Sequence, residues 1–562
     1  MQVLQGERWL DGVPDGYRCD GDYRIQTVAL RNLEPLEGLY FVRPASIRTL
    51  LNYLRDVGPV AVARKVLSRS RERARNEKFV SCGIGEVLDA PEGGRYRAGE
   101  CVGFLLPVGP RCLERIALPE DLLRSVELHE VPSIPEGRIL YHAGLPEHLT
   151  WDRWWQPVRA WTPYSGEPLQ RAAAEYAVKE AVELIRRTDW SQAMLLPTGA
   201  SEVATTRRVR PRPARPDRRG SAILFGYGNF AKTTILPHVA PFLRVDRVHE
   251  IDPTQMYFST SQVETWDTSP EAGPADRADA FLIAGYHHTH ASLACQALRR
   301  GAAAVVEKPF ATHHTQLREL VQAMRETEGR VFGCFQRRYH PFNEMALSDL
   351  GVDQGDAVDY HCIIHEAPLP ELHWYRWPNS RTRLISNGCH WVDHFLFLND
   401  YCDVASYDVL SGPGGTMNCS VALENGAYFT MVLTDHGSDR IGLQDHVELR
   451  ANGVTAKLVN ATRYESENGQ RVLRRKRINK LEAYRLMYRS ITQRIIDGSP
   501  GDSLRSIKHS TSLVLDLEQR LSDVAFEATA KLEPATYEME QVSERIGNSK
   551  ALFGSDKRHY LK

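Results

Sequence analysis

The chain has 562 residues, 42% of them apolar and 25% charged, and carries a formal net charge of −1. That length is too great for one domain and suits about three, while the near balance of charge gives no whole-chain field that would draw nucleic acid or an acidic membrane. The ten cysteines are scattered without a CxxC pair, which excludes a disulfide framework or a structural zinc motif; no apolar run nears the ~20 residues of a membrane span and no charged-then-apolar leader opens the chain, so a cytoplasmic location is expected.

In chain order, Gly85–Ala90, Cys101–Val108 and Glu114–Leu118 read as strands around a turn at Pro91–Tyr96, with a short helical turn from Pro119. Through Gly85, Val87, Gly99-Glu100-Cys101-Val102 and Leu118-Pro119 this segment resembles the GroES-like barrel of medium-chain alcohol dehydrogenases. That family's zinc ligands have no counterpart here. The resemblance therefore implies a zinc-free barrel over residues 1–135, of the kind that precedes a MocA-like module in two-domain oxidoreductases, serving substrate enclosure, oligomer contact or partner docking.

Residues 136–219 are expected to connect. They hold a tryptophan-rich segment with Trp151, Trp154, Trp155 and Trp161, then a helix over Glu167–Arg187 whose apolar positions are Ala172, Tyr176, Val178, Ala181, Val182 and Ile185, then an Arg/Pro linker over Arg207–Arg219. The tryptophans read as packing between domains in preference to stacking on a sugar. Arg64–Lys78 reads as a solvated helix face, and neither basic stretch carries the aromatic residues that would stack bases.

The most informative stretch begins at Ser221. An apolar run, Ser221–Phe225, feeds Gly226-Tyr227-Gly228-Asn229-Phe230-Ala231, and Thr233–Val239 has helical character. Gly226 takes the turn, Gly228 leaves the backbone open to phosphates, Ala231 lets helix and strand pack closely, and the helix start offers N–H groups to an anion. Val245–Ile251 reads as the next strand, with Glu250 and Asp252 placed to accept the ribose hydroxyls and to repel a 2′-phosphate, which favours NAD(H) over NADP(H). A further βαβ unit follows from Ala280–Ala284, His290–Arg300 and Ala303–Val306.

Ala284 to His290 and Glu307-Lys308-Pro309 resemble, in register, the glucose–fructose oxidoreductase / inositol dehydrogenase / MocA family, and the resemblance extends from Ser221 to about residue 525. It implies a Rossmann domain over 220–340 with cofactor contacts from Gly226, Gly228, Asn229, Phe230, Ala231, Tyr286, His287, His290, Glu307 and Lys308. Val331–Pro341 resembles the family's last Rossmann strand and adds Gln336, in place of the usual Asn, and Arg338. His287-His288-Thr289-His290 is not read as a metal site, since consecutive residues of one loop cannot converge on an ion and no Cys or carboxylate accompanies them.

Alternation over Ala357–His365, Val404–Leu410, Met417–Leu423, Ala427–Thr434 and His446–Ala451 predicts a largely antiparallel sheet in an α+β domain spanning 341–525, closed by helices over Tyr484–Ile496 and Ser503–Val524 and followed by a polar tail from 526. The overall class is α/β: barrel module, Rossmann domain and α+β domain. Ile385–Asn399 has helical spacing that puts His390 and Asp393 on one face, and it resembles the family's GxHxxD helix, with Ser386 where many members carry Asp. The resemblance implies Lys308 polarising the substrate oxygen with a pKa lowered beside the nicotinamide, His390 as general acid/base, and Asp393 fixing the imidazole tautomer. The function implied is an NAD(P)-dependent oxidoreductase acting on a sugar, sugar nucleotide or cyclitol, without nucleic acid, membrane or metal, as a dimer or tetramer. Alternatives are a ketone or imine reductase on a non-sugar metabolite and a catalytically retired scaffold.

Overall fold

A computed structural model describes residues 2–5, 8–11, 23–35, 79–109, 112–113, 115–118, 120–127, 137–145, 171–197, 220–250, 265–267, 271–369, 375, 380–412, 415–437 and 442–530, with a few further positions at 51–66 and 134. The tryptophan-rich segment, the Arg/Pro linker, most of Arg64–Lys78, Asp252 and the tail beyond 530 lie outside the described residues.

The N-terminal strands are β1 (Gln2–Gln5), β2 (Arg8–Asp11), β3 (Tyr23–Pro35), β4 (Phe79–Asp89), β5 (Cys101–Gly109), β6 (Cys112–Leu113), β7 (Arg115–Leu118), β8 (Leu123–Ser125), β9 (Arg138–His142) and β10 (Met194–Pro197), with helix α1 at Arg171–Arg186. Tyr23, Ile25, Thr27 and Ala29 are buried in alternation along β3, so one face of the pleat turns to the core. The main sheet runs β10-β9-β3-β4-β5-β8, with β7 also on β3, and β1 joins β2 and β6 in a small separate sheet. The expected barrel is not shown: among the described residues the sheet stays open. The far edge of β3 is shared, Tyr23–Gln26 pairing with β7 and Ala29–Arg31 taking β9 in parallel, which occupies the edge a closing strand would need.

Part of the stretch expected to connect packs with this sheet. β9 and β10 extend the N-terminal sheet, and α1 lays Ala177, Val178, Ala181, Val182 and Ile185 into its core. A side chain at Gly103 would come within 2.4 Å of Val182, so that position must be bare for α1 to seat. The N-terminal sheet therefore takes in residues as far as Pro197, and the apolar face of α1 is spent on it.

The Rossmann part comprises β11 (Gly220–Phe225), a wide π turn at Ala231–Ile235 leading into α2 (Leu236–Val239), β12 (Leu243–His249), β13 (Thr265–Asp267), β14 (Ala280–Ile283), α3 (His290–Arg299), β15 (Ala303–Val306), α4 (His314–Thr327) and β16 (Val331–Gly333). The sheet order is β13-β12-β11-β14-β15-β16 with every pairing parallel. Strands covered on both faces are apolar throughout, as β14 and β15 are at every position. The order reverses between β11 and β14, which places the ligand crevice outside their carboxyl ends.

The C-terminal part holds α5 (Phe342–Leu350), β17 (Asp359–His365), a second π turn at Leu384–Gly388 leading into α6 (Cys389–Leu398), β18 (Val404–Ser411), β19 (Met417–Leu423), β20 (Tyr428–Thr434), β21 (Gln444–Ala451), β22 (Val454–Val459), β23 (Arg463–Asn468), β24 (Val472–Arg477), α7 (Glu482–Ile496) and α8 (Leu504–Ala530). The eight-stranded sheet runs β18-β19-β20-β17-β21-β22-β23-β24 and is antiparallel except for β17 with β20. The last three strands and the extension of α8 to 530 are additions to what the sequence predicts. α7 returns to the Rossmann sheet, sharing a core with Leu224, Tyr227 and Val305 through Met487, Tyr488 and Ile491. No helix among the described residues is long and apolar enough to cross a membrane.

Candidate active site

The glycine turn is built by two different constraints. Gly226 has φ +92°, and a Cβ there would stand 2.6 Å from the Ala284 carbonyl oxygen, so both conformation and the neighbouring strand demand glycine. Gly228 is the opposite case: a Cβ there would meet no atom within 4 Å. The protein leaves that side of the turn open, as a loop receiving a pyrophosphate requires. Ala231 is buried at the helix start. Glu250, just past β12, accepts the Tyr227 N–H at 2.6 Å and ties the acid to the turn. Phe230 is exposed and sets its ring edge-on to Tyr484 of α7 at 5.8 Å, while the Asn229 carbonyl accepts the Thr233 hydroxyl at 2.7 Å.

At the end of β15 the chain carries Glu307 and Lys308, the latter joined to Pro309 by a cis peptide bond. The Lys308 ammonium donates to the Ser386 carbonyl at 2.9 Å and lies 3.5 Å from the Tyr375 hydroxyl. Ser386 sits within the π turn before α6, and such turns recur at functional sites because they break the regular carbonyl register. Burial is the largest influence on Lys308 and disfavours its charge, yet Tyr375, Cys389, Glu307 and Tyr484 together outweigh it, so Lys308 titrates above an ordinary lysine. The acidic groups brought in by α6 and α7 are distant in sequence.

His390, at the second position of α6, is buried, and its Nδ1 makes no hydrogen bond. Burial, then the charges of Lys308 and Arg337, hold its pKa well below the usual imidazole value, so the ring is neutral. Gln336, after β16, likewise keeps a buried Oε1 without a partner. Buried polar atoms are rarely left unsatisfied. Together with the open space at Gly228, these atoms fit a nicotinamide dinucleotide laid across the carboxyl ends of β11 and β14.

Several expected cofactor or catalytic residues are otherwise engaged. Asp393 does not orient His390. Its carboxylate pairs with Arg338, whose Nε stands 2.9 Å from Oδ2, and it accepts the Ser510 hydroxyl of α8 at 2.6 Å. Arg338 also reaches Asp502 at 3.0 Å. The Glu307 carboxylate accepts the Tyr488 hydroxyl of α7. His290 is braced between the carbonyls of Pro309 at 2.7 Å and Gly285 at 3.2 Å, holding the Lys308–Pro309 segment against the end of β14. The ring of His287 lies 4.9 Å from that of Tyr375, and Tyr286 stacks with His288 at 6.2 Å. His287 also meets the His290 ring edge-on at 5.8 Å, and among the described residues no group of three or more His, Cys, Asp or Glu is arranged to hold a metal.

Residues 221–334 match the model for the oxidoreductase family with an NAD-binding Rossmann fold. Over that segment the chain is similar to the Gfo/Idh/MocA family. Solved structures with a similar chain trace include the WlbA dehydrogenase from Chromobacterium violaceum in complex with NADH and UDP-GlcNAcA, 15% identical, covering 56% of this chain and 96% of that one with a TM-score of 0.45. A 3-ketoreductase from Actinomadura kijaniata in complex with TDP-benzene and NADP is 17% identical, with 54% and 97% covered and a TM-score of 0.46. The dehydrogenase MviM from Clostridium difficile is 16% identical, with 54% and 99% covered and a TM-score of 0.42.

Beside the matched segment the structure places residues that motif reading missed. Tyr375 touches both Lys308 and His287. Glu366, the residue after β17, is buried, accepts from the Asn387 amide and has Arg383 Nε 3.7 Å away. A lone carboxylate after an alternating strand carries no local signal of its role; only the apposition of β17 with the π turn reveals it.

Proposed function

We propose that this chain is an NAD(H)-dependent oxidoreductase that moves a hydride between nicotinamide and a hydroxyl- or carbonyl-bearing carbon of a polyhydroxylated substrate. The observation that carries this reading is the Lys308 ammonium at the carboxyl end of a Rossmann strand, held by the Ser386 carbonyl of the second domain. It is a fixed positive charge at the edge of the dinucleotide crevice, where an oxygen that becomes an alkoxide needs stabilising.

When bound, the nicotinamide supplies the hydride chemistry. The chain's own residues would then act as follows. The N–H groups at the glycine turn and helix start hold the pyrophosphate, Glu250 receives the ribose hydroxyls, and Gln336 supplies an amide contact. Lys308 polarises the substrate oxygen, and the neutral His390 offers Nδ1 to the same hydroxyl. Preference for NAD(H) follows from the carboxylate of Glu250, and a homo-oligomer remains part of the proposal. Calorimetric titration of the full chain with NADH and NADPH tests it: NADH is expected to bind more tightly, and absence of binding to either would remove the reading. Sugar nucleotides, which the WlbA and ketoreductase structures hold or mimic, are the first substrate probes.

A further inference from the structure

We propose that Glu366 is the residue that accepts the hydroxyl proton during oxidation and returns it during reduction, while Lys308 stays a cation throughout. This rests on the hydride-transfer reading above and assigns a role within that same site.

The placement comes from one turn. Ser386 and Asn387 are consecutive in the π turn; the carbonyl of the first holds the Lys308 ammonium and the amide of the second donates to Glu366 Oε1. Glu366 is delivered there by the parallel pairing of β17 with β20, continued by its own N–H donating to the Thr434 carbonyl at 2.8 Å. A polarising cation and a carboxylate are thus fixed by adjacent residues, although they come from different domains.

The second oxygen of that carboxylate is what calls for a ligand. Glu366 Oε2 is buried and makes no hydrogen bond. Arg383 Nε is 3.7 Å away, beyond hydrogen-bond reach, and that guanidinium is turned to Asp435 at 3.2 Å and to the Gly415 carbonyl at 2.6 Å. Leaving a buried carboxylate oxygen without a hydrogen bond is costly, and an entering hydroxyl would satisfy it.

The charges facing Glu366 are Lys308 from the Rossmann domain, Arg383 before the π turn and Asp435 after β20, with the neutral Asn387 amide beside them. Burial is the largest influence and raises the carboxyl above its ordinary value, against the opposing pull of Asn387, Arg383 and Lys308. A carboxyl so held exchanges its proton closer to neutrality. Lys308 is held above its ordinary value and His390 below it. In oxidation the C–H electron pair leaves with its proton as hydride to the nicotinamide, the O–H bond breaks with its proton passing to Oε2, the C=O bond forms, and Glu366 later releases the proton to water.

The test uses the full chain and begins without substrate. Difference infrared spectroscopy across a pH titration should show a protonated carboxyl stretch with a midpoint above 4.5 that is missing in Glu366→Gln. In Asn387→Ala the same band should titrate still higher, since the lost hydrogen bond favoured the carboxylate. With NAD and UDP-N-acetylglucosaminuronate as the probe, Glu366→Gln should lower turnover by roughly 10²–10⁴ and abolish the corresponding limb of the pH profile. No such band in protein that binds NADH, or a Glu366→Gln variant with wild-type rate and pH profile, would overturn the inference. If the probe is not turned over, the infrared comparison decides alone. Failure of the wild-type chain to bind NADH would strike the underlying reading instead.

Discussion

Replacing Lys308 by Met removes the ammonium held by Ser386 while keeping most of the side-chain volume, so NADH affinity should stay within a few-fold while turnover falls by roughly 10²–10⁴. His390→Ala should act in the same direction, and the double variant should lose far less than the product, because both groups act on one oxygen; a strictly multiplicative loss would contradict their pairing. Asp393→Asn has a different expected signature. It removes one of the two buried carboxylates that hold Arg338 and leaves Asp502, so the loss should appear in thermal unfolding, on the order of 1–3 kcal/mol, before it appears in the pH profile of turnover. His340 supplies a pH test of stability: burial pushes its pKa down to about 4. The unfolded chain therefore binds a proton that the native chain refuses, and this contribution is complete above about pH 6.5 and is lost as the pH falls toward 4. Denaturation curves of His340→Asn should show a shallower decline across that window than wild type.

At the scale of an element, the glycine turn makes its two glycines separable. Gly228→Val should leave the unfolding midpoint near wild type, since the space is open, yet abolish NADH binding by filling the pyrophosphate's approach. Gly226→Val should cost stability on the order of 3 kcal/mol or more, through its positive φ and the collision with the Ala284 carbonyl. NADH binding retained by Gly228→Val would displace the cofactor from this turn. The turn and the strands around it were legible in the sequence because each depends on neighbours within a few residues: apolar runs for β11, β14 and β15, glycines where the chain reverses. The widening of the helix start at Leu384–Gly388 was not legible, since Ile385–Asn399 has ordinary helical spacing and the π turn is expressed only against Lys308 and Met431.

For the whole molecule, α1 belongs to the N-terminal sheet, and Val182→Asp should unfold that unit by burying a charge beneath Gly103 and Val126. NADH binding should survive it, because the Rossmann sheet shares its cores with α3, α4, α7 and the C-terminal part. Calorimetry should then resolve an early loss of the N-terminal transition with the later one intact. The sequence by itself determined the succession of βαβ units, the glycine turn, the position of Lys308 at a strand end and the antiparallel character of the second sheet, all of which follow from local periodicity and backbone chemistry. Tertiary structure decided the rest. Whether β3 accepts β9 or closes a barrel depends on which edge is free when the sheet assembles, and no residue of β3 records it. Glu307 meets Tyr488 across 181 residues, and Asp393 takes Arg338 in place of His390, because a buried charge selects the partner that packing brings within hydrogen-bond reach, whatever lies beside it on its own helix.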